Sequence, residues 1–220
     1  MKTTKTKTGF IQHYDDELIK QVECNIGTGR CLVHLHDGRV TSVQAHCSIY
    51  TTQYGISVSG KHACIFVSSW EDGMGCFSAI TGEELWRLKG TRYTKVFVYP
   101  EYVVVVKFTT ALIKLDISNG KEIDRFKGRG IETVFELSKP LLFAGLIRGV
   151  YCTVDTTNFE IIKKFDRKII NPNDCLSLVI RSLEVDDENL VISGFEGYAH
   201  GQYPDGEEAV DFERAIGSAV

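Results

Sequence analysis

No run of about 18 apolar residues occurs in this chain, so no helix of it is expected to cross a membrane. Residues 1–25 also lack the apolar core of roughly 7–15 residues that marks a secretory signal. Missing too are a Gly-x-Ser-x-Gly elbow, a phosphate-cradling glycine loop and a His-Glu-x-x-His pair. Gly27-Thr28-Gly29 is too short for a nucleotide loop and reads as a strand connection. Positive charge is outweighed, with 25 Lys and Arg against 29 Asp and Glu, a net of −4. Phosphate binding wants a concentrated basic surface, which argues against nucleic acid. The seven cysteines are odd in number and irregularly spaced, so no disulfide framework is legible. Reduced thiols in a cytoplasmic protein are expected.

What is present is an ordinary globular composition. An apolar fraction of 43% and a charged fraction of 25% over 220 residues suffice for a full core. Residues 1–8, only Lys and Thr after Met1, predict a disordered tail. Residues 9–220 are expected to form a single domain. Within it, residues 9–23 read as two short strands, with a helical turn over 15–21 as the alternative.

The clearest local signals are hairpins. Cys76 to Ile80, the turn Thr81-Gly82-Glu83-Glu84 and Leu85 to Leu88 make strand, turn, strand. Asp37-Gly38, between alternating segments, predicts a two-residue type I′ turn. That turn pairs Leu35 with Val40 and His34 with Thr41. Cys31, Val33, Leu35 and Val40 then share a core face, and His34, His36 and Thr41 share the wetter one.

The same four-strand order recurs along the chain. Gly38, Gly82, Gly120, Asn158 and Gly206 mark successive turns, 44, 38, 38 and 48 residues apart. A period near 40–45 residues with four strands per unit predicts an all-β protein, a small β-propeller of about five four-stranded blades. The apolar runs at 102–106 and 140–144 are expected to line its axis. Phe10 to Tyr14 is the candidate strand for completing the final blade.

Thr81-Gly82-Glu83-Glu84-Leu85-Trp86, echoed by Ser118-Asn119-Gly120-Lys121-Glu122-Ile123, resembles the quinoprotein-type (PQQ-like) repeat, a WD-like propeller motif. The resemblance covers residues 54–166 and implies the fold. Repeats of this kind occur in many proteins that bind no quinone. The quinone-dependent enzymes of that family are larger and exported, with more blades and a calcium site, so no cofactor is implied for this chain.

Two chemistries are open to weighing. Cys24, Cys31, His34, His36, His46 and Cys47 invite zinc, but the hairpin register scatters them over both faces and about 20 Å of strand, so no metal is expected. Paired carboxylates such as Glu71-Asp72, Glu83-Glu84 and Glu207-Glu208 sit at turns, where solvated acids are ordinary. The loops joining second to third strands, and fourth strands to the next unit, share one face of a propeller. They carry Trp70, Glu71, Asp72, Met74, Arg92, Tyr93, Arg129 and Arg148. Such residue types anchor protein interfaces; alternatively, Trp70 caps a neighbouring blade. The sequence thus points to a monomeric, non-catalytic module that binds another protein, for instance an inhibitor or immunity protein covering a partner's active site. No nucleic acid or membrane partner is expected. The alternative is a carbohydrate- or small-molecule-acting enzyme with carboxylates in a central funnel.

Overall fold

The computed structural model describes residues 2–45, 55–126, 130–146, 149–171, 177–186, 189–197 and 210–218. It is all-β apart from one helical turn, with five antiparallel sheets. The first sheet runs β1 (Lys2–Lys5), β2 (Gly9–His13), β3 (Ile19–Asn25), β4 (Arg30–Leu35), β5 (Val40–Gln44). The second is β6 (Ile56–Ser59), β7 (Cys64–Ser69), β8 (Gly73–Ser78), β9 (Glu84–Leu88). The third is β10 (Tyr93–Val98), β11 (Tyr102–Lys107), β12 (Ala111–Asp116), β13 (Glu122–Phe126). The fourth is β14 (Ile131–Ser138), β15 (Leu141–Leu146), β16 (Val150–Asp155), β17 (Glu160–Phe165). The fifth, among the described residues, is β18 (Ser177–Asp186), β19 (Asn189–Gly197), β20 (Val210–Ala215). The chain divides into two compact units, residues 1–126 and 127–220, where the sequence predicts a single domain.

The first four sheets fold as up-and-down meanders because their connections are short. The repeated hairpin turn shows how. Ser78 Oγ accepts from the backbone N–H of Ile80 and Thr81, and Gly82 sits at φ +79°. Asp116 does the same for Ser118, with Gly120 at φ +70°. Asp155 does it for Thr157, but there the left-handed residue is Phe159 at φ +55°, not the neighbouring Asn158.

In the first unit these turns also join sheet to sheet. Trp86, on outer strand β9, donates its indole N–H to the Ile117 carbonyl at 2.9 Å, and its ring lies against Gly120. Thr41 donates to the Ile80 carbonyl at 3.1 Å, next to the approach of Gly82 to β5. On the same end, Asp16 accepts from the Gly60 backbone, and Lys61 pairs with Glu101 at 2.9 Å. Between the second and third sheets, Ser57 and Ser68 donate to the Val96 and Thr94 carbonyls. Apolar side chains fill the space between neighbouring sheets: Phe10, Val22, Val33, Ile65 and Phe77 in one cluster, Phe66, Trp86, Val103, Val105 and Ile113 in the next.

Several expectations are corrected. The Asp37-Gly38 hairpin has a three-residue loop, closed by Leu35 N–H to the Arg39 carbonyl, with Gly38 at φ +89°. That one-residue change slips β5, so Val33 pairs with Thr41 and Cys31 with Val43. Val43 therefore takes the core position, and Val40 is 53% exposed. Residues 2–5 form β1 on the free edge of β2, since a ladder needs backbone groups and no apolar side chains. Phe10 to His13 pairs with β1 and β3 in the first sheet instead of completing the last one. The apolar runs expected at an axis lie in second strands, β11 and β15, where both sheet faces are covered. In the first unit the strand that meets the neighbouring sheet is β10, against β6 and β7; in the second unit β14 meets β18. One short helix, α1 (Arg167–Ile170), follows β17, its N-terminus capped by the Asp166 carboxylate.

Candidate functional site

At the end of the first unit opposite the hairpin turns, the β7–β8, β9–β10 and β11–β12 loops meet. The β7–β8 turn is shaped by Ser69, whose hydroxyl accepts from the backbone of Glu71 and Asp72 at 3.2 and 3.3 Å. Gly73 closes it at φ +90°, so near the Leu88 carbonyl that a Cβ would stand 2.0 Å from that oxygen. This geometry turns Trp70, Glu71 and Asp72 outward.

The β9–β10 loop then crosses beneath Trp70. Arg92 is held at φ +66°, a region that L-residues other than Asn and Asp seldom occupy. Its N–H donates to the Trp70 carbonyl at 2.6 Å, and its carbonyl accepts from Phe108 N–H at 2.8 Å. Arg92 thus ties the β7–β8 turn to the β11–β12 turn through its backbone and keeps its guanidinium exposed. In the β11–β12 turn, Thr109 is also left-handed, at φ +61°. Two strained residues within one loop cluster persist only because the surroundings over-determine them.

The side chains complete the surface. The rings of Trp70 and Phe108 meet at 5.2 Å between centroids, tilted by 51°. Trp70 remains 43% exposed, so it packs against the neighbouring sheet and presents a ring to solvent at once. The contact with Phe108 is the one expected of a tryptophan that caps the neighbouring sheet. Glu71, Asp72 and Arg92 are exposed beside it. Met74 and Tyr93 belong to the core instead, at 1% and 6% exposure. Met74 lies in β8, which is buried on both faces, and Tyr93 opens β10 with its side chain in the core. Burial raises the Tyr93 phenol above its ordinary range, and the Lys107 ammonium lies 5.4 Å above its ring. Arg129 and Arg148 lie outside the described residues.

Phe108 and Thr109 were not among the sequence-predicted site residues, because the run from Tyr102 to Thr109 reads as one strand. The repeat itself carried the signal: Phe108 stands 38 residues after Trp70, the spacing that separates Gly82 from Gly120.

A small recess lies behind these loops. The recess between Val67, Asp72, Met74, Phe77 and Arg87 measures about 10 Å³, space for a single water molecule. Among the described residues, no three His, Cys, Asp or Glu side chains are placed to hold a metal. Of the zinc candidates, Cys24 and Cys31 are buried together in the core, whereas His34 is on the other face of β4 and His36 lies in the hairpin loop, its Nε2 3.0 Å from the Asp16 carbonyl. His46 and Cys47 lie outside the described residues. The surface presents an aromatic pair, two carboxylates and a guanidinium side by side.

No protein-family model matches the chain, and no curated protein sequence matches it. Among solved structures it is similar to BamB from Moraxella catarrhalis, at 13% identity and a TM-score of 0.58. That likeness covers 87% of this chain and 58% of BamB, so the chain spans less than two thirds of that protein. It is also similar to the computationally designed Ika8 protein, at 13% identity and a TM-score of 0.52, over 86% of this chain and 66% of Ika8. A third likeness is to the computationally designed Ika4 protein, at 14% identity and a TM-score of 0.53, over 80% of this chain and 97% of Ika4. At such identities the comparisons speak for the fold alone, which is β-propeller-like.

Proposed function

We propose that this protein is a non-catalytic, protein-binding β-propeller of about five blades, with quinoprotein-type repeats that hold no quinone. It works in the cytoplasm as a dedicated binder, such as an inhibitor or immunity protein that covers the active site of its partner. The observation that carries the reading is Trp70, a half-exposed indole seated on Phe108 and braced by the left-handed Arg92. An amphipathic ring, pre-positioned at little entropic cost and ringed by charges, is the type of residue that dominates interface energetics. The acidic net charge supports a protein over a nucleic acid as partner.

The hairpin-turn end of the unit supplies the control. Glu83 and Lys121 are exposed there, on turns made mainly of Thr, Asn, Gly, Lys and Glu. Proteins retained by the tagged wild type should be identified by quantitative mass spectrometry and their affinity then measured. The double variant Trp70→Ala, Arg92→Ala should bind the partner at least about thirtyfold more weakly, the loss of one anchor residue being worth about 2 kcal/mol. Its circular dichroism spectrum should be unchanged. Glu83→Ala with Lys121→Ala should bind as the wild type does. Damage from the second pair and none from the first would place the binding surface at the other end.

A further inference from the structure

Cys24 and Cys31 close opposite ends of the loop between β3 and β4. They are direct cross-strand partners in the antiparallel register, and their sulfurs stand 3.1 Å apart, the Cys24 S–H donating to Cys31 Sγ. Both are buried in the cluster formed by Phe10, Val22, Val33 and Val43. Direct antiparallel partners have Cα atoms about 4.5–5.5 Å apart, within the span of about 4.4–6.8 Å that a disulfide bridges. Bond formation asks the sulfurs to close by about 1 Å, to about 2.05 Å.

A second thiol pair offers the contrast. Cys64 and Cys76 also touch, Cys76 hydrogen-bonding with Cys64 in the neighbouring core cluster. Their register is diagonal, however, because Cys64 faces Ser78 and Cys76 faces Phe66. Diagonal neighbours sit about 7–8 Å apart, beyond what a disulfide spans without moving the backbone.

From this geometry we infer that Cys24 and Cys31 are an oxidative modification site, a pair that becomes a cross-strand disulfide when the chain folds in contact with a small-molecule disulfide. The Cys64–Cys76 pair stays reduced under the same conditions. The reaction is two thiol–disulfide exchanges. One cysteine thiolate attacks a sulfur of oxidised glutathione, forming a mixed disulfide and releasing one glutathione thiolate. The second cysteine thiolate then attacks the protein sulfur of that mixed disulfide and expels the other glutathione thiolate. The two protein thiols are oxidised, one glutathione disulfide is reduced to two thiols, and two protons pass from the cysteines to the leaving thiolates.

Timing follows from burial. Desolvation and the contact with Cys31 push the Cys24 thiol far above its ordinary range in the folded protein. The attacking species is the thiolate, so exchange belongs to the chain before the sheet is covered. Once buried, either redox state is held.

Refolding the full chain from denaturant in a mixture of oxidised and reduced glutathione tests this. After blocking under denaturing conditions, two of the seven thiols should have become unreactive, and peptide mapping should find residues 24 and 31 linked. The natively folded, reduced protein, mixed with the same glutathione, should keep both thiols for at least tenfold longer. Cys31→Ser should abolish the link. Seven reactive thiols after oxidative refolding, or a link between Cys64 and Cys76 in preference to Cys24 and Cys31, would overturn the inference.

Discussion

Gly120→Ala should be far more damaging than the same change at Gly38, although both glycines are left-handed residues of hairpin turns. At Gly38, φ is +89° and an added Cβ meets nothing within 4 Å. Its cost is therefore backbone strain alone, about 1 kcal/mol. At Gly120, φ is +70° and the new Cβ would stand 2.5 Å from Cε3 and 2.7 Å from Cδ2 of Trp86. The indole cannot simply swing aside, because it is buried and its N–H is bonded to the Ile117 carbonyl. Overpacking of this kind adds about 1–3 kcal/mol, for a total of about 2–4 kcal/mol. Equilibrium denaturation followed by circular dichroism measures both variants. A double-mutant cycle isolates the clash: in a Trp86→Ala background Gly120→Ala should cost about 1 kcal/mol again, leaving a coupling of about 1–3 kcal/mol. Equal losses at Gly38 and Gly120, or a coupling below about 0.3 kcal/mol, would refute the docking of this turn on Trp86. The contact joins the sheet that carries Trp70 to the sheet that carries Phe108.

Two further outcomes are expected. Burial lowers the Lys95 ammonium from 10.5 to about 8 in the folded protein. Between those values the unfolded chain holds more protons than the native one, so stability should rise with pH across that window. Lys95→Met should flatten the rise in denaturation curves taken at successive pH values; a wild-type profile matching that of the variant would show that the side chain is not desolvated. Thr109→Gly should raise the denaturation midpoint, by about 1 kcal/mol in stability, by relieving a β-branched residue at φ +61°. A lowered midpoint would mean that the threonine side chain contributes more than its backbone strain costs.

Much of the fold was legible because its determinants are local and repeated. Turn residues at a period near 40, with short apolar segments between them, foretold antiparallel sheets in the observed order. The Ser78 and Asp116 turns could be read directly, since a side-chain oxygen accepting from the backbone two residues on is a property of a few adjacent residues. The placement of the candidate loops was legible in part. Trp70, Glu71, Asp72 and Arg92 emerge on the expected end, because a meander must place alternate connections at opposite ends of its sheet. Met74 and Tyr93 are buried instead, because both belong to strands and not to the loops: β8 is covered on both faces, and Tyr93 opens β10 inward.

Tertiary structure decided what depends on contacts between segments distant in sequence. Whether the Asp37-Gly38 loop has two or three residues is a small difference in turn energy, yet it determined that Val43 and not Val40 enters the core. The left-handed Arg92 has no sequence signal, since its conformation is imposed by the Trp70 carbonyl on one side and the Phe108 N–H on the other. Nor does cysteine spacing reveal that Cys24 faces Cys31 directly while Cys64 meets Cys76 across a diagonal. Periodicity and turn chemistry act over a handful of neighbours and so are written in the chain. Register, burial and strain are settled by which surfaces meet, and those meet only once the sheets have packed.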